Sequence, residues 1–311
     1  MNTPLAINSD EILASHVITE LKNKIDIVAF EKVNKGWSKV IKYRVETSDG
    51  RRLFLRISDI NEYDQKKAEC EKLEQATVLG IDAPIPVSFG LCNKGKNVYQ
   101  LFTWCDGKDA LSYLPYIKPK EQYSLGVKTG LTIQKLHTLP APKNTESWGI
   151  WFRREMHKQI DFYNTHTEKS TEGDILVKYQ LDNQNLLDGR PITFIHGDCN
   201  LSNIMITPDN EISLIDFSSD YGDPWWEFDS GSWGKEPIGP FVSGIFDGYF
   251  YGEPPEIFFK VFAFYGAYCA LTALCAGISE GDEDGAKHPK MFLSWYENMQ
   301  NLVPVWYIAQ R

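Results

Sequence analysis

The sequence predicts an α+β fold of two lobes, with an antiparallel sheet in the N-terminal lobe and mainly helices in the C-terminal lobe. Five short strand patterns lie within residues 1–103, whereas long helical patterns fill most of residues 104–311. A chain of 311 residues with 42% hydrophobic residues can bury a large core, and this length favours two lobes over one compact unit.

The N-terminal lobe is predicted to begin with a helix and to continue as a series of strands. Asn8 and Glu11 resemble a capping box, and apolar residues follow at helical spacing as far as Leu21. A turn at 48–50 predicts a hairpin between two strands. The predicted segments are a helix over 8–21, strands over 27–33, 40–46 and 52–58, a helix over 61–79, and strands over 85–90 and 97–103.

The C-terminal lobe is predicted to be mainly helical, with a few short strands near its centre. The apolar stretch 261–278 approaches the length of a membrane span, but its Gly, Tyr and Thr residues favour a buried core helix. Helices are predicted over 121–137, 151–163, 174–187, 255–278 and 291–302, and strands over 192–195, 204–206 and 212–215.

Composition narrows the range of partners. The net charge of −10 and the pI near 5.2, with no cluster of Lys or Arg, argue against a nucleic-acid partner and favour a cationic small substrate. Acidity is also a common solubility trait. The six cysteines lack metal-binding spacing, and the N-terminus lacks the pattern of a secretory signal. We therefore expect a cytoplasmic monomer with reduced thiols and no membrane partner.

Two acids and one carboxamide follow short apolar runs in the predicted second lobe. Asp198 ends the sequence His-Gly-Asp, Asn203 comes five residues later, and Asp216 follows the apolar run 212–215. In kinases the first Asp of this pattern accepts the hydroxyl proton, while Asn and the second Asp hold Mg²⁺. Each fragment alone would be an ordinary turn or strand-end acid, but their order and spacing favour phosphoryl transfer. We therefore predict that Asp198 is catalytic and that Asn203 and Asp216 bind Mg²⁺.

The two residues before Asp198 are predicted to shape the loop. Gly197 allows a tight turn. We expect His196 to hydrogen-bond the loop backbone rather than to act as a base.

This region resembles the aminoglycoside phosphotransferase family, whose signature is His-Gly-Asp, four residues, Asn, and then Ile-Asp-Phe. The resemblance extends over nearly the whole chain, and it implies a two-lobed, protein-kinase-like fold. It also implies ATP or GTP as the phosphoryl donor, Mg²⁺, and a hydroxyl of a small molecule as the acceptor. The landmarks that match in family order are 36–38, 53–57, 101–107, 133–137 and 221–228.

The resemblance assigns residues of the first lobe to the nucleotide. Arg56 takes the place of the basic residue that holds the phosphates, which is usually Lys in protein kinases. Its bracing acid is expected to be Glu69, with Glu71 and Glu62 as alternatives. The remaining assignments are Ser38 in a reduced glycine loop, and the backbone of Thr103 and Cys105 for the nucleobase.

The resemblance also implies a substrate pocket lined with acids that pair with ammonium groups. Asp223, Glu227 and Asp229 are the candidates just after the metal-binding Asp, together with Asp220 and the acids of 280–284. The acids of 280–284 fit a solvated polar loop equally well. The turn at 223–226 is expected to have a structural role first.

Three functions remain open. The first is phosphorylation of an aminoglycoside-like amino sugar, and with it antibiotic resistance. The second is a metabolite kinase with choline, a sugar, homoserine or a macrolide as the acceptor. The third is a catalytically silent nucleotide-binding module, which the intact set of Asp198, Asn203 and Asp216 disfavours.

Overall fold

The computed structural model describes residues 9–22, 24–34, 40–166, 169–218, 220–228, 239–281 and 283–308. The chain divides into two compact units, Met1–Asp106 and Gly107–Arg311. The first unit contains α1 (Ser9–Lys22), β1 (Ile27–Lys32), β2 (Ile41–Thr47), β3 (Arg52–Asp59), α2 (Tyr63–Val78), β4 (Pro86–Cys92) and β5 (Asn97–Thr103).

The strands of the first unit form one antiparallel sheet in the order β1-β2-β3-β5-β4. One face of the sheet packs against α1, because buried residues recur at helical spacing along α1 and at every second position of the strands. The buried cluster contains Ala14, Val17, Ile18 and Leu21 from α1, and Tyr43, Val45, Leu53, Leu55, Ile57, Tyr99 and Leu101 from the sheet. The predicted antiparallel lobe is confirmed.

The second unit is mainly helical, as the sequence predicted. Its helices are α3 (Ala110–Tyr113), α4 (Pro119–Leu136), α5 (Trp148–His166), α6 (Thr171–Asn183), α7 (Gly239–Tyr249), α8 (Glu256–Glu280), α9 (Glu283–Trp295) and α10 (Val305–Ile308). Its short strands are β6 (Lys108–Asp109), β7 (Thr193–Ile195), β8 (Ile204–Ile206), β9 (Ile212–Leu214) and β10 (Asp220–Gly222). The strands form a three-stranded sheet, β6-β8-β9, and a separate pair, β10-β7.

The helices of the second unit differ from the prediction at α9 and α7, and the short helices α3 and α10 were not predicted. The helix predicted over 291–302 is confirmed over 291–295 and wrong beyond it. The helix α9 ends at Trp295, and the positive φ angles of Glu297, Asn298 and Met299 do not allow it to continue. The sequence analysis missed α7, whose Gly and Pro residues are poor helix formers in isolation. Tertiary packing on α4 therefore overrides local propensity in α7.

The long apolar helix α8 belongs to the core of the second unit. By length and composition it could cross a membrane, with a mean hydropathy of 1.8 over an 18-residue window within Glu256–Ser279. However, 67% of that window is buried inside the protein, as is typical of a core helix. Its N-terminal half carries Phe258, Phe262 and Phe264, each at most 1% exposed.

Helices α4 and α7 pack at unusually close range. Gly126 and Gly130 of α4 face Gly244 and Gly248 of α7. A Cβ atom built on any of these glycines would overlap backbone of the opposite helix, for example the Phe241 carbonyl oxygen at Gly126. Small residues thus allow the two backbones to touch, which explains why α7 needs its glycines.

We expect Gly126→Ala to destabilise the protein, because the added methyl group meets backbone that cannot move independently. The free energy of unfolding should fall by about 1–3 kcal/mol, as in other overpacked cores. Urea unfolding measures it. Lys120→Ala, at an exposed position of α4, should change stability by less than about 0.5 kcal/mol. Equal stability of the two variants would contradict the tight contact.

Candidate active site

The first candidate residue, Asp198, lies in an exposed turn directly after β7. Gly197 precedes it with φ +80°, a left-handed conformation in which glycine carries no penalty. The two carboxylate oxygens of Asp198 accept hydrogen bonds from Asn200 Nδ2 at 2.8 Å and Asn203 Nδ2 at 2.9 Å. These amides fix the orientation of the carboxylate. Each oxygen keeps a lone pair that can accept a hydrogen bond from a further donor.

The β8–β9 hairpin brings the other two candidates beside the loop. Ile204 pairs with Leu214, and the amide of Ile215 donates to the Asn203 carbonyl at 2.9 Å. Asn203 and Asp216 therefore lie at the same end of the hairpin. Asp216 is exposed and has φ +58°, a strained conformation of the kind that concentrates at functional sites.

His196 supports the loop from inside, as the sequence predicted. It is fully buried, its Nε2–H donates to the Ile215 carbonyl at 2.9 Å, and its Nδ1 accepts from the Asp198 amide at 3.3 Å. Burial lowers the pKa of His196, so the neutral ring is the form that makes both bonds. The imidazole thus connects the loop that carries Asp198 to Ile215, the residue just before Asp216.

The structure contradicts the prediction that Glu227 binds the substrate. Its side chain is 1% exposed, and its oxygens accept from the amides of His196 at 2.5 Å and Gly197 at 3.0 Å. His137 Nε2 lies 3.3 Å from the same carboxylate. Burial alone would raise the pKa of Glu227, but the hydrogen bonds from His137 and the His196 amide outweigh it and lower the pKa. Glu227 braces the loop and cannot meet an acceptor.

The structure also contradicts the prediction that Asp223 binds the substrate. It is fully buried, and Arg190 binds both of its oxygens, one of them at 2.7 Å. The Tyr265 hydroxyl at 2.6 Å and the Trp225 amide at 2.9 Å donate to the same carboxylate. The Arg190 guanidinium also stacks over the Trp225 ring, 3.9 Å from its centre. Asp223 anchors the chain after β10, in agreement with the structural role expected for that turn.

The remaining substrate candidates receive less support. Asp229 and Asp282 lie outside the described residues. Asp220 is exposed, and its carboxylate accepts from the Tyr221 amide at 2.8 Å. Glu280 ends α8 and Glu283 begins α9, so these two positions belong to helices and not to a loop.

In the first unit, the predicted ion pair forms. Arg56 Nη1 lies 2.6 Å from Glu69 Oε1, and both side chains are less than a tenth exposed. Glu71 instead lies 3.8 Å from Lys67. The choice of Glu69 over Glu71 and Glu62 is confirmed as a contact. Its role towards a nucleotide stays a prediction, and Ser38 lies outside the described residues.

The hinge candidates follow β5. The Thr103 amide donates to the Ile85 carbonyl at 2.9 Å, and the Thr103 hydroxyl accepts from the Ile85 amide at 2.9 Å. The amide of Thr103 is thus already used within the sheet, which leaves its carbonyl as the group to offer a nucleobase. Cys105 lies in the loop beyond the strand and is partly exposed. Phe102, which precedes Thr103 on β5, is 2% exposed.

The residues present fit a magnesium ion that is shared with a nucleotide. Asn203 Nδ2 is turned towards Asp198, with bonds to its backbone and side chain, so Asn203 Oδ1 points the other way. Asp216 adds a carboxylate from the same hairpin end. Within the described residues, no group of three or more His, Cys, Asp or Glu forms a metal cage. Such a cage is not needed, because Mg²⁺ commonly takes one or two protein oxygens and completes its shell with phosphate and water.

Sequence reasoning missed several residues that hold this site together. Asn200 orients Asp198, Arg190 neutralises Asp223, and His137 supports Glu227. Asn200 could have been noticed, since it lies within the motif. The partners of the two buried acids are 33 and 90 positions away in the chain, and no local pattern marks them.

We expect Glu227→Gln to loosen the loop. One amide donor would then face an NH₂ group that cannot accept, and the unfolding free energy should fall by about 2–3 kcal/mol. Phosphoryl transfer should slow about tenfold or more, because the loop would shift. Glu211→Gln removes an exposed ion pair with Lys128 and should cost less than about 1 kcal/mol. Full activity of Glu227→Gln would contradict the claim that Glu227 supports the loop.

Stability should also decrease at mildly acidic pH because of His196. Its pKa is lowered in the folded protein, so the unfolded chain binds the proton more readily and folding weakens as pH falls below about 6.5. We expect a loss of about 1 kcal/mol per pH unit from this group. Urea unfolding between about pH 7 and pH 5.5 should show a flatter dependence in His196→Asn. His157→Asn, at an exposed position of α5, should keep the wild-type slope, and equal slopes in all three proteins would contradict the assignment.

Several solved structures share this fold. The GDP complex of the wild-type aminoglycoside 2'-phosphotransferase-IIIa has a TM-score of 0.68 at 11% identity, over 94% of this chain and 99% of that chain. A macrolide 2'-phosphotransferase type I has a TM-score of 0.62 at 14% identity, over 93% and 98%. A putative fructosamine-3-kinase from Haemophilus somnus 129PT has a TM-score of 0.62 at 14% identity, over 90% and 98%. The predicted kinase-like fold is confirmed.

The sequence itself carries the family assignment. No sequence among the curated proteins matches this chain significantly. Residues 29–258, which make up more than half of the chain and include the whole motif from His196 to Asp216, match the model of the phosphotransferase enzyme family. The predicted enzyme class, a small-molecule phosphotransferase, is confirmed. The chain therefore belongs to the phosphotransferase enzyme family.

Proposed function

We propose that this enzyme transfers the γ-phosphoryl group of a magnesium-bound nucleoside triphosphate, ATP or GTP, to a hydroxyl group of a small molecule. The observation that carries the proposal is the arrangement of Asp198, Asn203 and Asp216. Asp198 is exposed and oriented by two amides, and the β8–β9 hairpin holds Asn203 and Asp216 at one end. This arrangement supplies a proton acceptor and two oxygen ligands, which are the groups that phosphoryl transfer requires.

Asp198 orients the acceptor and receives its proton. Its carboxylate is held by Asn200 and Asn203 and faces solvent, so an acceptor hydroxyl can donate to a lone pair that the amides leave open. As the new bond to the γ-phosphorus forms, the bond from that phosphorus to the bridging oxygen breaks and the nucleoside diphosphate leaves. The hydroxyl proton moves to the Asp198 carboxylate. Fixed geometry reduces the reorganisation that this step needs.

Asn203 and Asp216 hold the metal. Asn203 would offer Oδ1, because its NH₂ group is committed to Asp198. Asp216 would offer its carboxylate. When bound, Mg²⁺ neutralises negative charge on the phosphate oxygens. In the first unit, Arg56 would bind phosphate oxygens while Glu69 keeps its guanidinium in place.

For the acceptor, we propose an amino sugar of the aminoglycoside class. The net charge of −10 favours encounter with a cationic molecule. One observation favours a second candidate, an uncharged acceptor such as a simple sugar. Asp223 and Glu227, two of the acids that were to bind ammonium groups, are buried and engaged inside the protein.

An acceptor panel tests the proposal. Aminoglycosides, macrolides, choline, homoserine and simple sugars would each be incubated with the enzyme, Mg²⁺ and ATP or GTP. Nucleoside diphosphate release above the hydrolysis background, with a product heavier by one phosphoryl group in mass spectrometry, identifies the acceptor. Tight nucleotide binding without a phosphorylated product from any acceptor would favour a silent binding module.

Two substitutions separate the proposed roles. Asp198→Asn should keep nucleotide binding and lose turnover by about 10²–10⁴-fold, since only the proton acceptor is removed. Asp216→Asn should weaken both magnesium-nucleotide binding and turnover, because a charged metal ligand is lost. Calorimetric titration with the nucleotide, with and without Mg²⁺, together with steady-state kinetics, measures both effects.

Asp209→Asn is the matched control, since Asp209 is exposed in the turn between β8 and β9. It should leave binding and turnover unchanged. Near-normal turnover of both Asp198→Asn and Asp216→Asn with the true acceptor would refute the assigned roles.

A further inference from the structure

The buried carboxylate of Glu227 belongs to a longer chain of hydrogen bonds inside the second unit. His137 directly follows α4, and its Nε2 lies 3.3 Å from Glu227 Oε2. The other ring nitrogen of His137, Nδ1, lies 3.0 Å from the hydroxyl of Tyr249, the last residue of α7. The exposed fractions of Glu227, His137 and Tyr249 are 4%, 8% and 9%. Polar groups buried to this extent need hydrogen-bond partners, and these contacts supply them.

The close contact between α4 and α7 brings Tyr249 to His137. A Cβ atom built on Gly130 of α4 would lie 2.7 Å from the Tyr249 amide nitrogen, so a side chain there would push the end of α7 away. The Tyr249 ring meets the His137 ring edge-on, with centroids 5.5 Å apart, and it meets the Phe228 ring at 4.8 Å. The packing of the two helices thus fixes the position of the Tyr249 hydroxyl.

The chemistry of the partners decides where the protons lie. Burial acts to raise the pKa of Glu227, but its hydrogen bonds lower the pKa, so at neutral pH the carboxylate is ionised and can only accept. Nε2 of His137 must therefore carry a proton and donate to it. Burial raises the pKa of Tyr249, so its hydroxyl keeps its proton. That hydroxyl can donate to Nδ1, because a neutral imidazole with its proton on Nε2 accepts at Nδ1.

We propose that Tyr249 is a positioning residue for phosphoryl transfer and acts through His137 on the catalytic loop. This inference rests on the proposed function and adds a residue that lies outside the catalytic motif. The Tyr249 hydroxyl holds the imidazole so that Nε2–H faces Glu227. The Glu227 carboxylate in turn accepts from the two amides directly before Asp198. The end of α7 thus orients the loop through three successive hydrogen bonds, each of which fixes the next group.

The position of the protons tests this in the wild-type protein. Proton–nitrogen NMR spectra of isotopically labelled histidine distinguish the two neutral tautomers from each other and from the charged ring. The spectrum of His137→Gln identifies the His137 signals by their loss. At neutral pH we expect a neutral His137 ring with its proton on Nε2. A proton on Nδ1, in either the neutral or the charged ring, would overturn the proposal.

Removal of the hydroxyl gives a second, independent readout. Tyr249→Phe keeps the ring and should lower kcat about 2- to 10-fold, the range for one neutral hydrogen bond. KM for the nucleotide should stay within about twofold, because the nucleotide-binding groups are left in place. Tyr251→Phe is the matched control and should keep the wild-type kcat. The Tyr251 hydroxyl also bonds to α4, at 3.0 Å from Gln134 Oε1, but Tyr251 is 74% exposed.

Two substitutions of His137 separate positioning from packing. His137→Leu has no donor for Glu227, so kcat should fall about 10- to 100-fold, the range for one hydrogen bond to a charged group. His137→Gln can place an NH₂ group near the former Nε2 and should recover most of the loss. Hydrogen exchange at the amides of His196 and Gly197, followed by NMR, should be faster in His137→Leu than in His137→Gln. Circular dichroism checks that both variants are folded.

The outcomes separate the two proposals. Equal kcat values of folded Tyr249→Phe and Tyr251→Phe would overturn the role of Tyr249 and leave the proposed function intact. A wild-type protein that phosphorylates no acceptor would refute the proposed function. In that protein, a proton on His137 Nε2 and faster loop exchange in His137→Leu would still support the positioning of the loop, and equal exchange in folded His137→Leu and His137→Gln would overturn it.

Discussion

The catalytic loop depends on the buried carboxylate of Glu227. The strand β7 ends at Ile195, so the next two amides, those of His196 and Gly197, have left the strand. Both are satisfied by Glu227, at 2.5 Å and 3.0 Å. An unpaired buried amide would cost about 1–3 kcal/mol. The loop is therefore fixed from the inside, immediately before Asp198, the residue that we propose accepts the hydroxyl proton.

Burial divides the acids of this region into two pairs with different roles. Asp198 and Asp216 are exposed, whereas Asp223 and Glu227 are buried. An exposed carboxylate can meet a hydroxyl group or a metal ion. A buried one must be fully paired, and each of these two carries at least three donors. Under the proposed function, the carboxylate group serves the reaction in the exposed pair and supports the structure in the buried pair.

Much of the fold followed from patterns in the sequence. Short strand patterns and the turn at 48–50 predicted the sheet, and the motif spacing predicted which residues lie around the β8–β9 hairpin. Prediction failed where the deciding partner is distant in the chain. Glu227 and Asp223 were mistaken for substrate ligands because the sequence alone does not distinguish a buried carboxylate that supports a loop from one that lines a pocket. Only the folded chain places His137 and Arg190 against them.

Helix α7 shows the same limit for secondary structure. Gly244 and Gly248 lower its intrinsic helix propensity, yet they are required because α4 approaches through Gly126 and Gly130. A rule based on local propensity penalises the residues that the packing demands. The helix is stable because of a contact between two segments more than 100 residues apart in the sequence.

The buried acids Asp223 and Glu227 support the structure without influencing which acceptor is attracted, and the reason is electrostatic. Arg190 compensates the charge of Asp223, and Glu227 is consumed by the loop amides, so neither acid attracts a cationic molecule from solution. A change of acceptor therefore needs no change in these residues. Such a division allows one loop geometry to serve charged and uncharged acceptors.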